Sequence, residues 1–211
     1  MLKFSECTLL KLDKLFSLKQ IRKSPILDDW LNQAIEIADW EEKVLHLLQE
    51  TLILGVHDWN EFELSQRFIA PMFAIVHFTS ESFNLFAERL FGGSVEDVEI
   101  QGKPDGIIAS GLREPEKPYF CFHEFKRQHE TRGDPAGQCL VAMLVAQELN
   151  EHKHPIYGCY VVGDTWRFIV LQDKEYCISN PYIAVRDDIF DIFRVLKALK
   201  QIIIRLVAMD K

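Results

Sequence analysis

Apolar residues along the chain fall into two kinds of pattern, which together predict a fold that mixes helices and strands. Apolar positions at helical spacing predict helices near both ends, over residues 1–54 and 186–208. Short apolar runs bounded by Gly, Pro and polar residues predict strands between them, including Ile156–Val162 and 166–171. A helix predicted over 135–150 connects two such strands, as is typical of the crossover unit of an α/β sheet.

The order of the predicted elements divides the chain into two parts. Residues 1–57 are predicted to form an N-terminal helical extension, and residues 58–211 an α/β core that ends in a long helix. In the core, a helix predicted over 61–78 contains Pro71, which should kink it. The broad apolar faces of the terminal helices are expected to pack on the core, with a homodimer or partner-protein interface as the alternative.

Shorter patterns predict the first strands of the core. A first strand is predicted over 84–91, followed by a turn at Gly92-Gly93. Strands are then predicted over 95–101 and 107–110. This arrangement places Lys103-Pro104-Asp105 in a bend, with the carboxylate of Asp105 at the head of an apolar segment.

An aromatic run from Pro118 ends in charged residues and predicts a buried strand. Because strand side chains alternate between faces, Glu124 and Lys126 should share one face, with Phe122, while His123 points to the other. A buried carboxylate and a buried ammonium are costly unless something pairs with them or uses them. With Asp105 upstream, the pattern is Pro-Asp, eighteen intervening residues, then Glu-x-Lys.

This pattern resembles that of the PD-(D/E)XK nuclease superfamily, and the chain as a whole resembles a group of small bacterial proteins of that kind. The resemblance covers residues 58–180. It implies a restriction-endonuclease-like fold, which is α/β with a central mixed β-sheet flanked by helices. It also implies a metal-dependent endonuclease that cleaves DNA, with RNA as the less favoured substrate.

The resemblance also assigns roles to the residues of the motif. It implies that Asp105 and Glu124 bind the metal, that the backbone carbonyl of Phe125 completes the metal shell, and that Lys126 orients or deprotonates the attacking water. Hard carboxylate oxygens favour Mg²⁺, with Mn²⁺ as a substitute, and such ions can activate water and neutralise phosphate.

Two helices next to the sheet supply further candidates. The superfamily often has an acid on the helix before the sheet, and Glu63 is the first choice, with Glu61 as its substitute. A carboxylate that only stabilises a helix N-terminus is an equally good explanation of either residue. Gln138 matches a catalytic glutamine on the helix after the Glu-x-Lys strand. Ala142 stands where a tyrosine would follow, which puts that second contact in doubt.

Composition limits the function. The net charge of −8 argues against a protein that binds nucleic acid over its whole surface, but it leaves room for a local basic cleft. The five widely spaced cysteines predict reduced core thiols rather than disulfides or a zinc site. The chain has no uncharged apolar run of membrane-spanning length and no signal-peptide pattern, so a cytoplasmic protein that contacts no membrane is expected.

Two other functions fit the same residues. The fold could serve as a catalytically weak or inactive binding or regulatory subunit of a defence or restriction system. Alternatively, Glu124 and Lys126 could be a structural ion pair in an ordinary α/β domain. A nuclease needs Asp105 and Glu124 oxygens that converge beside Lys126. His123 is predicted to be a core residue, and Asp134 the N-cap of the helix that follows.

Overall fold

The computed structural model describes residues 1–125 and 133–209, without the side chains of Glu124 and Phe125. It shows the predicted α/β class: a mixed β-sheet flanked by helices, with a long C-terminal helix. Lys126 and the rest of the 126–132 segment lie outside the described residues.

The strands of the large sheet are β2 (Lys19–Gln20), β3 (Asn84–Ala87), β6 (Gly106–Ala109), β7 (Pro118–Phe125), β8 (Ile156–Val162), β9 (Thr165–Gln172), β10 (Glu175–Ile178) and β11 (Tyr182–Ile183). Their order is β2-β10-β9-β8-β7-β6-β3, and β11 pairs with β9. β7 and β8 are parallel, as are β2 and β10, and the remaining pairs are antiparallel.

A smaller sheet has the order β1-β5-β4, formed by β1 (Leu2–Lys3), β4 (Phe91–Val95) and β5 (Val98–Gly102). The predicted turn at Gly92-Gly93 is wrong, because both glycines lie within β4. The hairpin turns instead at Glu96 and Asp97, which have φ of 46° and 66°. A Cβ at Gly92 would lie 2.5 Å from the carbonyl oxygen of Ile100, so close strand pairing explains this glycine.

The helices are α1 (Leu9–Phe16), α2 (Pro25–Leu31), α3 (Asp39–Gly55), α4 (Glu61–Leu64), α5 (Ala70–Val76), α6 (Pro135–Leu149) and α7 (Asp188–Met209). A single π-helical turn, Ser65–Ile69, separates α4 from α5. Pro71 follows that turn and has no amide hydrogen to donate, which agrees with the predicted interruption of the 61–78 helix.

The N-terminal segment is not purely helical, in contrast to the prediction. β1 joins the small sheet and β2 joins the large sheet. The helical pattern near residues 27–54 is divided into α2 and α3 by residues 32–38. A two-residue strand is too short to show a periodic pattern in the sequence. Its pairing is with residues distant in the chain, which no local pattern predicts.

The core has one layer on each face of the large sheet. On one face, β7–β9 pack against α2, α3, α5 and α7, where Trp30 meets the rings of Tyr157 and Phe168 edge-on at 5.1 and 5.2 Å. On the other face, α6 lies between the large and small sheets and is buried along nearly its whole length. Among the described helices, none has the combination of length and apolar character that a bilayer span requires.

All five cysteines are buried and free, which confirms the prediction of reduced core thiols. Cys139 lies on α6, and its Sγ is 3.5 Å from the carbonyl oxygen of Cys159. Burial raises the pKa of the Cys139 thiol to about 12, so this group stays protonated at neutral pH.

The predicted N-cap of α6 is present and also joins α6 to α1. Asp134 Oδ1 accepts a hydrogen bond from the amide of Gly137 at 3.0 Å, and Oδ2 accepts one from the amide of Leu9 at 2.8 Å. These bonds satisfy one amide at the start of each helix.

Asp134→Ala is therefore expected to lower the free energy of unfolding by about 1–2 kcal/mol, since it removes both acceptors. Urea unfolding followed by circular dichroism measures the change. Asp134→Asn, which keeps one carbonyl acceptor, should lower the free energy of unfolding by less than Asp134→Ala. An unchanged urea midpoint in Asp134→Ala would contradict this role for the carboxylate.

Candidate functional site

Asp105 lies immediately before β6 and contacts β7. Gly106 pairs with Phe122 in the antiparallel register, which places Asp105 opposite His123. His123 Nδ1 lies 2.9 Å from Asp105 Oδ2, and the two side chains are 12% and 28% exposed. A carboxylate oxygen can only accept, so Nδ1 is the donor. His123 is largely buried, as predicted for a core residue, and it also orients the carboxylate of Asp105.

The cavity beside Asp105 is bounded by α4, which belongs to the helical layer that packs on Phe122 of β7. Phe122 packs against Phe73 of α5, with ring centroids 5.2 Å apart, and Leu64 of α4 belongs to the same apolar cluster. α4 and α5 thus belong to the layer that covers this face of the sheet. The register places Asp105 beside His123, on the face of β7 opposite to that of Phe122. Asp105 also lines the cavity that α4 bounds.

This cavity has a volume of about 590 Å³ and is rich in carboxylates. Its ionisable lining residues are Glu61, Glu88, Lys103 and Asp105. The amide of Glu88 donates to the backbone carbonyl of Asp105 at 3.3 Å, which holds the two segments side by side. The sequence interpretation missed Glu88, because it lies in a loop with no motif around it. Within the described part of the chain, no three His, Cys, Asp or Glu side chains form a group that could hold a metal ion.

The two acids considered on α4 have different surroundings. Glu63 forms a capping box with Asn60: the Glu63 amide donates to Asn60 Oδ1, and the Asn60 amide donates to Glu63 Oε2, both at 3.0 Å. Its other oxygen lies 3.6 Å from Arg67 Nη2. Glu61 lines the cavity with Asp105. The spacing of Asn60 and Glu63 is itself a capping-box signature that could have separated the two residues by sequence.

The backbone positions of the motif strand are defined up to residue 125. Glu124 pairs with Val161 and Phe125 with Val162 of the parallel strand β8. The side chains of Glu124 and Phe125, and all of Lys126, lie outside the described residues. Convergence of Asp105 and Glu124 beside Lys126 stays a prediction.

Gln138 lies in the first turn of α6 and is 8% exposed. It lines a second cavity of about 290 Å³, together with Lys3 and Gln101. Lys103 lines both cavities, so they lie side by side along residues 102–105. The structure therefore places Gln138 next to the carboxylate-rich cavity rather than in its wall.

The comparisons with known proteins leave the family of this chain open. No protein-family model matches the chain, and no curated protein matches it. The function is inferred from the site residues themselves.

Proposed function

We propose that the protein is a metal-dependent nuclease that hydrolyses phosphodiester bonds of DNA, or less favourably RNA, at the cavity beside Asp105. The observation that carries this proposal is the position of Asp105. It lies at the head of β6, is held by His123, and lines a cavity that also contains the carboxylates of Glu61 and Glu88. The mixed sheet flanked by helices supports a restriction-endonuclease-like interpretation.

The lining of the cavity supplies oxygen donors of the type that bind hard divalent cations. Its donors are oxygens of Asn60, Glu61, Glu88 and Asp105, the ligand type that Mg²⁺ and Mn²⁺ prefer. An ionised carboxylate has about four lone-pair sites, so the hydrogen bond to Asp105 Oδ2 is compatible with cation binding. We assign the ligand roles to Asp105, Glu124 and the carbonyl of Phe125.

A further ligand on α4 is assigned to Glu61 in preference to Glu63. Glu61 lines the cavity with Asp105, whereas the oxygens of Glu63 face the Asn60 amide and Arg67. Moving Glu63 to a metal would break the capping box that starts α4, at a cost of about 1 kcal/mol.

Side chains of the protein supply the other functions that the reaction needs. A bound Mg²⁺ would supply charge neutralisation at the phosphate and a more acidic water. Lys126 orients or deprotonates the attacking water. His123 holds the Asp105 carboxylate in one orientation, as hydrogen-bond partners of metal ligands commonly do. Lys103, at the rim shared by both cavities, brings a positive charge towards the phosphate.

One observation favours a second candidate, a nuclease-like subunit that binds or regulates without cutting. Ala142, which stands where the superfamily often has a tyrosine, is 0% exposed inside α6. It cannot contact a substrate from there. A site without this contact is compatible with activity that is weak or depends on a partner protein of a defence or restriction system.

A cleavage assay tests the proposal. The pure protein is incubated with single- and double-stranded DNA and RNA in Mg²⁺, in Mn²⁺ and in EDTA. We expect cleavage that requires the metal and that falls roughly 10²–10⁴-fold in Lys126→Ala, because a positioned proton acceptor contributes about that factor. Absence of cleavage on every substrate, together with no Mg²⁺ binding by calorimetry, would overturn the nuclease proposal in favour of the binding subunit.

Two acids of α4 give this assay a matched control. Glu61→Gln should reduce cleavage and Mg²⁺ affinity, since it removes a cavity carboxylate. Glu63→Gln makes the same chemical change in the capping box and should leave cleavage nearly unchanged. The reverse order of effects would show that the α4 ligand has been assigned to the wrong residue. Cleavage that persists in Lys126→Ala and Glu61→Gln would point to a site elsewhere.

A further inference from the structure

The second cavity, which lies beside the carboxylate-rich one, differs from it in charge. Lys3 and Lys103 bring two ammonium groups to it, and its described lining residues include no carboxylate. The neighbouring cavity has Glu61, Glu88 and Asp105 against Lys103 alone. The chain has a net charge of −8, yet one of these adjoining cavities is lined by positive groups and the other mainly by negative groups. Two such cavities are suited to bind different parts of one ligand.

The small sheet builds this positive cavity. Lys3 of β1 pairs with Gln101 of β5, so their side chains stand side by side on the sheet. Lys103 follows Gln101 by two residues, the spacing at which an extended chain returns to the same face. A Cβ at Gly102 would lie 2.2 Å from the ring of Phe4, so this glycine allows Phe4 to pack closely and keeps residues 3–5 beside Lys103.

The lysines of the cavity are available to a ligand. Both residues are exposed, and within residues 1–125 and 133–209 neither ammonium group forms an ion pair. Ser5, Gln101 and Gln138 add neutral polar groups to the same lining. Ammonium, hydroxyl and amide groups are the usual donors to phosphate oxygens of nucleic acids.

We propose that this cavity is a phosphate-binding subsite in which Lys3 and Lys103 hold a backbone phosphate of the nucleic acid strand that is cleaved next to Asp105. The assignment of the strand rests on the nuclease function proposed above. Two chain segments, residues 87–90 and 102–105, run along both cavities, so a strand that follows them passes from one cavity to the other. Gln138 then contacts the substrate backbone at the subsite instead of the reacting phosphate.

Binding measurements separate this subsite from catalysis. Fluorescence anisotropy with a labelled single-stranded DNA and the matching duplex is recorded in EDTA and in Mg²⁺ over a range of salt concentrations. Each phosphate contact contributes about 0.7–0.9 to the slope of log affinity against log salt. Lys3→Ala and Lys103→Ala should each lower the slope by that amount and weaken binding about fivefold at 0.1 M salt.

Lys43→Ala is the matched control. Lys43 is exposed on α3, lies in neither cavity, and its loss changes the net charge equally. It should leave the slope unchanged, and thermal melting verifies that all three variants fold. If Lys3→Ala and Lys103→Ala bind like Lys43→Ala, or if the wild-type protein binds no nucleic acid, the subsite is overturned.

The two proposals fail in different ways. Binding that depends on Lys3 without cleavage in Mg²⁺ would support the subsite and overturn the nuclease function. Cleavage that depends on Lys126, with Lys3→Ala indistinguishable from Lys43→Ala in affinity and salt slope, would overturn the subsite and leave the nuclease function standing.

Discussion

Asp105→Asn is expected to reduce metal-dependent cleavage by about 10³-fold. A bound cation contributes several kcal/mol of transition-state stabilisation, and about 4 kcal/mol corresponds to this factor. The substitution removes the charge of Asp105 and retains its shape and its contact with His123. Cleavage rates and Mg²⁺ calorimetry should show loss of activity and of metal affinity together.

Asp97→Asn is the matched control for this variant. Asp97 is exposed in the β4–β5 turn with φ of 66°, a conformation that asparagine also adopts readily. It makes the same charge change away from the cavity and should not alter cleavage. Wild-type Mg²⁺ affinity and cleavage in Asp105→Asn would contradict the ligand role of Asp105, and with it the site as we have assigned it.

Lys197→Met is expected to lower the free energy of unfolding by about 3 kcal/mol, the largest stability effect that we predict. Lys197 Nζ lies 2.7 and 3.0 Å from the two carboxylate oxygens of Glu41, whose side chain is 9% exposed. This ion pair joins α3 to the C-terminal helix α7. Removing one partner of a buried pair costs about 3–5 kcal/mol because a buried charge is left uncompensated, and the 26% exposure of Lys197 places the effect at the lower end.

Chemical denaturation of the single and double variants measures this effect. Glu41→Gln together with Lys197→Met should recover part of the loss, since no unpaired carboxylate is then buried. Lys200→Met on the same helix removes a hydrogen bond to the carbonyl of Val76 and leaves no buried charge. Lys200→Met should therefore lower the free energy of unfolding by less than Lys197→Met does. Equal losses from the two lysine variants would mean that the pairing with Glu41 contributes little.

The parts of the fold that the sequence predicts well are those with long or chemically distinct local patterns. α6 and α7 lie within about two residues of their predicted bounds, and β8 matches its predicted bounds. The Asp134 cap was also predicted correctly, because capping depends on residues three apart in the chain. The two-residue strands β1 and β2 could not be predicted, because their partners in β5 and β10 are distant in sequence.

The candidate site shows the same division between local and long-range information. Sequence placed Asp105 at the head of a strand and separated the faces of His123 and Glu124. It did not predict that His123 meets Asp105, because that contact depends on the register of β6 against β7. A shift of one residue in the pairing of β6 with β7 would have set Asp105 opposite a neighbour of His123, whose side chain points to the other face of the sheet.

By itself, the sequence determined the α/β class, the burial of the cysteines as free thiols and the Asp134 cap of α6. These features follow from short-range rules of periodicity, polarity and capping. Only the tertiary structure decided that Glu61 and Glu88 line one cavity with Asp105, and that Lys3 and Gln138 share another. The reason is physical: such neighbours come from strand register and helix packing between segments distant in the chain, which no local pattern encodes.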